Sequence, residues 1–519
     1  MNSSQNLGRP NVLLITVDQM RFDCLSIAGH PVVETPNLDE LARTGVRFSR
    51  AYSATPTCVP ARAAIFTGQS QRAHGRVGYQ DCVPWEYKRT LPGELAGAGY
   101  HTQCIGKMHV YPARNLMGFH NVMLHDGYLH HNRNYHSIPM QEHYDQVDDY
   151  LPWLRERVPG ADMLDLGLDC NASTVARPWH LAEMQHPTNW VVTQSIDFLR
   201  RRDPGKPFFL WMSFVRPHPP FDPPQAYLDL YEDADIPEPP VGDWAQTEDP
   251  ELEGYSPITG RGLVPKRRLR KAMAAYYALI THLDHQVGRF LQSLNEYGEL
   301  QNTVILFTSD HGELLGDHHL FRKSLPYEGS THVPFIVNDP GNRLGLQRGM
   351  VADQVVEMRD IMPSLLEAAG VPIPDTVEGE SIWRLASAGK EEGLSTQTWR
   401  HHLHGEHAQG VQSNHWVTDG KEKYIWFSQT GEEQFFDLVL DPLELHNAIA
   451  DEDRQDRIRY WRSVLIQELD GREEGYTDGQ QLIIGRKPTA TLSHILNGAD
   501  HIRSDRFSPA EFSVNPTTQ

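Results

Sequence analysis

The run Cys58-Val59-Pro60-Ala61-Arg62, followed by Thr67-Gly68, puts a thiol and a cation one helical turn apart. Thr55-Pro56-Thr57 before it reads as a loop entering a helix. Pro60 costs little near a helix start, because the first N–H groups have no internal partner. Cys58 then stands at the N-terminal end, where unpaired N–H groups and the macrodipole favour negative charge. Arg62 follows four residues on, so its side chain can come back toward Cys58. A thiol or thiol derivative beside a cation binds or activates an anion. A lone cysteine is more often a buried packing residue, but Cys-x-Pro-x-Arg followed by Thr-Gly raises the chemical reading above that one.

Four further polar clusters carry residue types suited to the same site: Asp18-Gln19, Lys107 with His109, His218, and Asp310-His311. Asp18, Gln19, Asp310 and His311 offer hard oxygen ligands and one imidazole. That set suits Ca²⁺, Mg²⁺ or Mn²⁺ better than a thiolate-bound zinc. Any one of these residues is more often structural; together, at strand ends, they are hard to attribute to chance.

The elements that must position them are legible. Asn11–Val17, His101–Ile105, Phe208–Val215 and Thr303–Ser309 are β-prone runs, most of them continuously apolar as strands buried on both faces of a parallel sheet are. Each cluster follows one of these runs, and in open α/β sheets ligands bind beyond the carboxyl ends of the strands. Val333–Val337 is a further strand. Thr35 and Pro36 read as the cap and first residue of a helix ending near Gly45. Trp190–Arg202 and Arg268–Tyr297 carry helical periodicity, with His282 and Asp284 as packing or surface positions. Residues 110–190 and 222–265 show little periodicity and read as loops, the first as long active-site loops. The expected fold is α/β: a large, mostly parallel central sheet flanked by helices, with a smaller C-terminal antiparallel sheet plus a helix over Asp451–Leu469. The expected organisation is a catalytic domain over 1–394, a small α+β subdomain over 395–472, and a polar tail over 473–519 that contacts a neighbouring subunit.

The 519 residues hold 47 basic and 68 acidic side chains, a formal charge of −21, which argues against nonspecific nucleic-acid binding. An anionic substrate therefore needs local positive charge. Five cysteines in so long a chain do not look like a disulfide framework. Met1–Pro10 is polar and the first apolar run is only strand-length, so neither a signal peptide nor a membrane span is visible. The reading is a cytoplasmic chain that does not engage membranes.

Cys58-Val59-Pro60-Ala61-Arg62 resembles the signature of the type I sulfatases, in the alkaline phosphatase superfamily. The resemblance covers most of the chain. Asp18 matches a metal ligand after the first strand, and Ser309-Asp310-His311-Gly312 matches the second metal-binding signature. Gly106-Lys107-Met108-His109 resembles the Gly-Lys-x-His motif, and Pro217-His218-Pro219-Pro220-Phe221 the motif with a catalytic histidine. Lys323 falls where the family has a substrate lysine. Two positions depart from the commonest pattern: Gln19 stands where a second Asp is usual, and His311 where Asn is frequent. That pairing looks like the phosphonate monoester hydrolase branch, whereas Lys107 and His109 look like sulfatases proper. Losing one carboxylate could also move the metal preference from Ca²⁺ toward Mn²⁺.

The resemblance implies that a maturation enzyme oxidises Cys58 to formylglycine, whose hydrate attacks sulfur in line. It implies one divalent metal, Ca²⁺ before Mn²⁺ or Mg²⁺, at Asp18, Gln19, Cys58, Asp310 and His311. Asp310 would take or direct the attacking hydroxyl's proton. Lys107 and Lys323 would neutralise the sulfate oxygens, and His218 would serve the leaving oxygen. His109 would take the proton from the second hydroxyl as the sulfate is expelled, and Arg62 would hold the diol. The implied substrate is a small anionic aryl or carbohydrate sulfate ester; the alternative is a phosphonate monoester or phosphodiester. Histidines and aromatics in 119–144, with His402, His404, Glu406 and His407, are candidates for the pocket wall. The tail makes the chain a candidate homo-oligomer.

Overall fold

The computed structural model describes residues 8–127, 146–245, 256–387 and 399–496. Its main sheet has eight strands: β1 (Asn11–Asp18), β2 (Val46–Phe48), β3 (His101–Gly106), β4 (Asn121–Leu124), β5 (Phe208–Pro217), β6 (Thr303–Ser309), β7 (Phe335–Asn338) and β8 (Met350–Ala352). Their spatial order is β4-β3-β5-β1-β6-β7-β2-β8. All neighbours are parallel except β7, which runs antiparallel to β6 and β2. Every residue of β1, β5 and β6 is buried, as apolar runs covered on both faces require.

Alternation along β1 feeds two cores. Leu13, Ile15 and Val17 pack with the face covered by α3 (Pro187–Arg201) and α4 (Lys266–Glu296); Val12 and Leu14 pack on the other face with Ile65 and Phe66 of α2 (Cys58–Thr67). His282 and Asp284 of α4 are both packing residues. Asp284 accepts from the N–H groups of Asn37 (3.1 Å) and Leu38 (2.8 Å), capping α1 (Pro36–Thr44) from outside. The expected cap, Thr35, makes no side-chain capping bond; its hydroxyl donates to Asp39 instead (3.0 Å).

The small antiparallel sheet holds β9 (Leu403–His407), β10 (Asn414–Thr418), β11 (Glu422–Phe427) and β12 (Glu433–Asp437) in sequence order, with α5 (Gln455–Leu469) on one face. Its other face supports the segment 314–327: Leu403, Trp416, Ile425 and Phe436 pack with Leu314, Leu320, Leu325 and Tyr327. Buried Lys423 ties the two units together, donating to Glu328 (2.7 Å) and Glu444 (2.9 Å).

Three sequence expectations are corrected. The stretch 110–190 is not all loop, for it contains β4 and a helix at Tyr150–Arg157. The strand expected at Val333 begins at Phe335. The first part of the tail, expected to reach a neighbouring subunit, is held by its own chain. Arg472 pairs with Glu406 (2.7 Å), Tyr476 is buried, and Leu492 N–H donates to Gly75 (2.8 Å), so the chain to residue 496 folds onto its own domain. The 394/395 boundary and residues 497–519 lie outside the described residues. No helix among the described residues is long and apolar enough to cross a membrane.

Candidate active site

The parallel order of β3, β5, β1 and β6 puts their carboxyl ends side by side, and each delivers its cluster there. Asp18 closes β1, Lys107 follows β3, His218 follows β5 and Asp310 follows β6. Gly106 is required where β3 and β5 close together: it has φ +107°, and a Cβ on it would lie 1.8 Å from the Ser213 carbonyl oxygen. Cys58 enters from the first turn of α2, with Thr57 in the N-cap position.

Cys58 Sγ lies 3.3 Å from His311 Nε2, 3.3 Å from Lys107 Nζ, 3.6 Å from Asp18 Oδ1 and 3.8 Å from Lys323 Nζ. Lys107 also pairs with Asp18. His311 Nδ1 donates to the Gly312 carbonyl (3.0 Å), which turns Nε2 toward the carboxylates, 3.3 Å from Asp18 Oδ1. Arg62 does not return to Cys58. It is fully buried and donates from Nε to Asp310 Oδ2 (3.1 Å) and from Nη1 to Lys107 O (2.7 Å) and Ser213 Oγ (2.9 Å). It therefore locks three strand ends together.

Burial sets the electrostatics, and the fixed cations decide the outcome. Desolvation and Asp18 push the Cys58 thiol up, but Lys107 and Lys323 pull it well below its ordinary value. Burial would raise Asp18, yet Lys107, followed by His218 and Lys323, holds it well below the usual carboxylate range. Asp310 goes the other way: burial, then the nearby Asp18 charge, raise it. His218 is pushed well down by burial and Lys323, and its Nδ1–H donates to Pro219 O (2.8 Å). Burial, the largest influence, lowers His109, but its interactions with Asp81 and Cys58 together raise it above its ordinary value; Asp81 Oδ1 lies 3.4 Å from His109 Nε2. The His109 backbone has φ 57°, and Asp126 holds it there by accepting its N–H (3.0 Å).

Ligand atoms of Asp18, Cys58, Asp310 and His311 all fall within 4.8 Å of one another, and all four residues are buried. Two buried carboxylates crowding each other, with an imidazole nitrogen between them, fit a hard divalent cation. Gln19, at φ 74°, adds a carbonyl oxygen, Oε1, which accepts from Lys323 Nζ (2.5 Å).

The site opens into a cavity of ≈ 680 Å³. Of the candidate wall residues, His407 lines it, with Nε2 3.2 Å from Thr57 Oγ1. His402, His404 and Glu406 do not: they bind Glu468, Gln71 and Arg472. Of 119–144, Asp126 and Gly127 line the cavity; 128–144 lies outside the described residues. Sequence reasoning missed Tyr79, Asp81, Asp126 and Arg261, which stand in aperiodic loops. It gave no role to Glu313, next to the Asp310-His311 cluster. That residue binds the Gln19 amide and the N–H groups of Leu315 (2.9 Å) and Arg322.

A family model described as Sulfatase matches residues 10–371. The chain belongs to the sulfatase family. It is thus a sulfuric ester hydrolase, in an α/β fold of the alkaline phosphatase kind. A second model, N-sulphoglucosamine sulphohydrolase, C-terminal, matches residues 316–470, spanning the active-site loop and the small sheet that supports it. An arylsulfatase of Clostridium perfringens (strain 13 / Type A) is 57% identical over 488 residues, covering 94% of this chain and 100% of that one. The multifunctional alkaline phosphatase superfamily protein PehA of Trinickia caryophylli is 29% identical, covering 86% and 92%. Among solved structures, the phosphonate monoester hydrolase of Agrobacterium radiobacter superposes with TM-score 0.70 at 28% identity, covering 88% of this chain and 95% of that one.

Proposed function

We propose that the enzyme hydrolyses an aryl or carbohydrate sulfate monoester at residue 58 after a maturation enzyme has converted Cys58 to formylglycine. The observation that carries this is Cys58 Sγ at 3.3 Å from both His311 Nε2 and Lys107 Nζ on the floor of the cavity. The likeness to an arylsulfatase at 57% identity supports an aryl ester as the first substrate to try.

Asp18, Gln19, Asp310 and His311, with residue 58, would hold one divalent cation, Ca²⁺ before Mn²⁺ or Mg²⁺, which when bound supplies Lewis acidity and positive charge. Lys107 and Lys323 approach residue 58 from separate loops and would bind the sulfate oxygens, as fixed charges that need no reorganisation. His218 lines the cavity near Lys323, and with Nδ1–H held by Pro219 O it would take up a solvent proton at Nε2 as the anionic ester binds and pass it to the leaving oxygen. His109, oriented by Asp81, would take the proton from residue 58 during release. Arg62 Nη2 has no hydrogen-bond partner among the described residues, and we assign to it the holding of the modified residue 58, although the unmodified Cys58 makes no bond to Arg62. We further propose a cytoplasmic setting with a small imported ester, and a homo-oligomer contacted through the tail over 473–519.

A second reading, phosphonate monoester or phosphodiester hydrolysis, is favoured by Gln19 in place of an acidic ligand and by likeness to the Agrobacterium enzyme. Matched aryl sulfate and aryl phosphonate esters separate the two. A kcat/KM higher for the sulfate, abolished in Cys58→Ala, supports the first reading. A higher value for the phosphonate, or full turnover by Cys58→Ala, overturns it.

A further inference from the structure

The cavity that holds Cys58 is also walled by two irregular segments that pair with each other. Phe321 N–H donates to Gly260 O (3.0 Å), and Gly262 N–H donates to His319 O (2.9 Å). Arg261 and Leu320 form a β-bridge between them. This short ladder places Arg261 and Arg322 in the cavity wall beside Lys323. Arg322 holds a left-handed backbone (φ 67°), an unusual conformation for a bulky residue, and Glu313 secures it by accepting its N–H. The guanidinium lies against Gly260: a Cβ there would come within 3.1 Å of Nη2.

Arg261 and Arg322 are partly exposed in that wall, whereas most of the chain's more enclosed arginines are held by carboxylates; Arg76 is held instead by Tyr87 Oη and the Val83 and Pro84 carbonyls. Arg62 pairs with Asp310, Arg216 with Asp222, Arg400 with Asp360 and Arg472 with Glu406. Among the described residues, neither Arg261 nor Arg322 has a carboxylate partner. In a chain of formal charge −21, carboxylates are plentiful, so two guanidiniums left without one in the same cavity wall are open to an anion from solution. The scissile sulfate does not need them, since Lys107 and Lys323 already converge on residue 58. The ≈ 680 Å³ cavity also exceeds what a sulfate group fills. A water's share of liquid is about 30 Å³, so a ring-sized leaving group fits as well. Val215, Phe321 and Leu325 offer apolar surface to its body.

We propose that Arg261 and Arg322 form a second anion subsite, and that the substrate is a sulfate ester whose leaving group carries another anionic group, a carboxylate or a second sulfate. The arginine fork suits either anion, bidentate and planar. This proposal rests on the sulfatase reading.

The test uses two aryl sulfates that differ only in a ring carboxylate or the matching carboxamide. Turnover of the carboxamide ester by the unaltered enzyme reports the sulfatase reading; the carboxylate-to-carboxamide ratio of kcat/KM reports the arginines. If neither ester turns over, calorimetric binding of the two esters yields the same ratio. The unaltered enzyme is expected to prefer the carboxylate by about tenfold or more, the scale of a hydrogen bond to a charged group. Arg261→Gln and Arg322→Gln should each lower the ratio, and the double variant should bring it close to unity. Arg261→Lys should keep part of it, and added salt should narrow it. Arg261→Gln is the cleaner single variant, because Arg322 adjoins Lys323. No preference in the unaltered enzyme, or a ratio unchanged in the double variant, overturns the proposal.

Discussion

Lys323 Nζ donates to Gln19 Oε1 at 2.5 Å, while the amide nitrogen of Gln19 donates to Glu313. One amide thus bridges a lysine facing residue 58 and a buried carboxylate behind it, and only an amide satisfies both. An Asp at 19 would meet Glu313 with like charge in a dry setting. Gln19→Asp should therefore destabilise the metal-free protein by about 3 kcal/mol, the scale of an uncompensated buried charge. Adding Glu313→Gln to it should recover most of that loss. Denaturant unfolding of the two variants checks the pair; equal destabilisation by both would refute the bridge.

Arg62 has no access to solvent and anchors Asp310, Lys107 O and Ser213 Oγ. Arg62→Gln should cost roughly 3–5 kcal/mol of stability, because it strands a buried carboxylate. Arg62→Lys should lose turnover as well, for an ammonium cannot reach three strand ends in a fork. Unfolding curves and kcat for both variants test this; a stable, fully active Arg62→Lys would show that the fork is dispensable.

Asp18 and Asp310 repel each other in a fully buried site, so a bound cation should stabilise the fold. At a hundredfold excess over Kd the gain is about 2.7 kcal/mol. Thermal unfolding with Ca²⁺, Mn²⁺, Mg²⁺ or chelator measures it and ranks the metals. Asp310→Asn should lose most of the response. An unchanged melting temperature with every metal would remove the assignment.

His415 is buried on the small sheet, and burial lowers it from 6.5 to about 3. The unfolded chain takes up a proton below pH 6.5, whereas the folded one resists until about pH 3. Stability from this group is therefore present above pH 6.5 and lost as pH falls. Each pH unit in that window is worth about 1.4 kcal/mol per group. His415→Phe should lose less stability on acidification, so its unfolding free energy relative to the parent should rise by that slope between pH 6.5 and about 4. Parallel curves for the two proteins would show that the group titrates normally.

Much of this was legible in sequence because the responsible signals are local. Runs such as Val12–Val17 and Thr303–Ser309 are apolar at every position, which only doubly covered strands need, and the chemical residues follow them directly. The small sheet was readable from short β-prone runs between turns. What escaped depends on pairing between distant segments. Asp81 meets His109, Glu313 meets Gln19, and Arg261 reaches the cavity through a bridge to Leu320. No periodicity marks such loops. Residues 473–496 misled for a related reason: a polar segment can be held by a few ion pairs and buried side chains, such as Glu474 with Arg472 and Tyr476. Asp284 was legible as a packing position, but its role as a cap on α1 was not.

The central claim is that Cys58 is the precursor of the working nucleophile. The most direct measurement is a mass spectrum of the peptide containing Cys58, taken from protein made in its native host and matched to the turnover of that sample. The account predicts that the sulfur is replaced by a carbonyl oxygen and that turnover scales with the converted fraction. A sample that turns over fully while every copy of the peptide retains its thiol would contradict it.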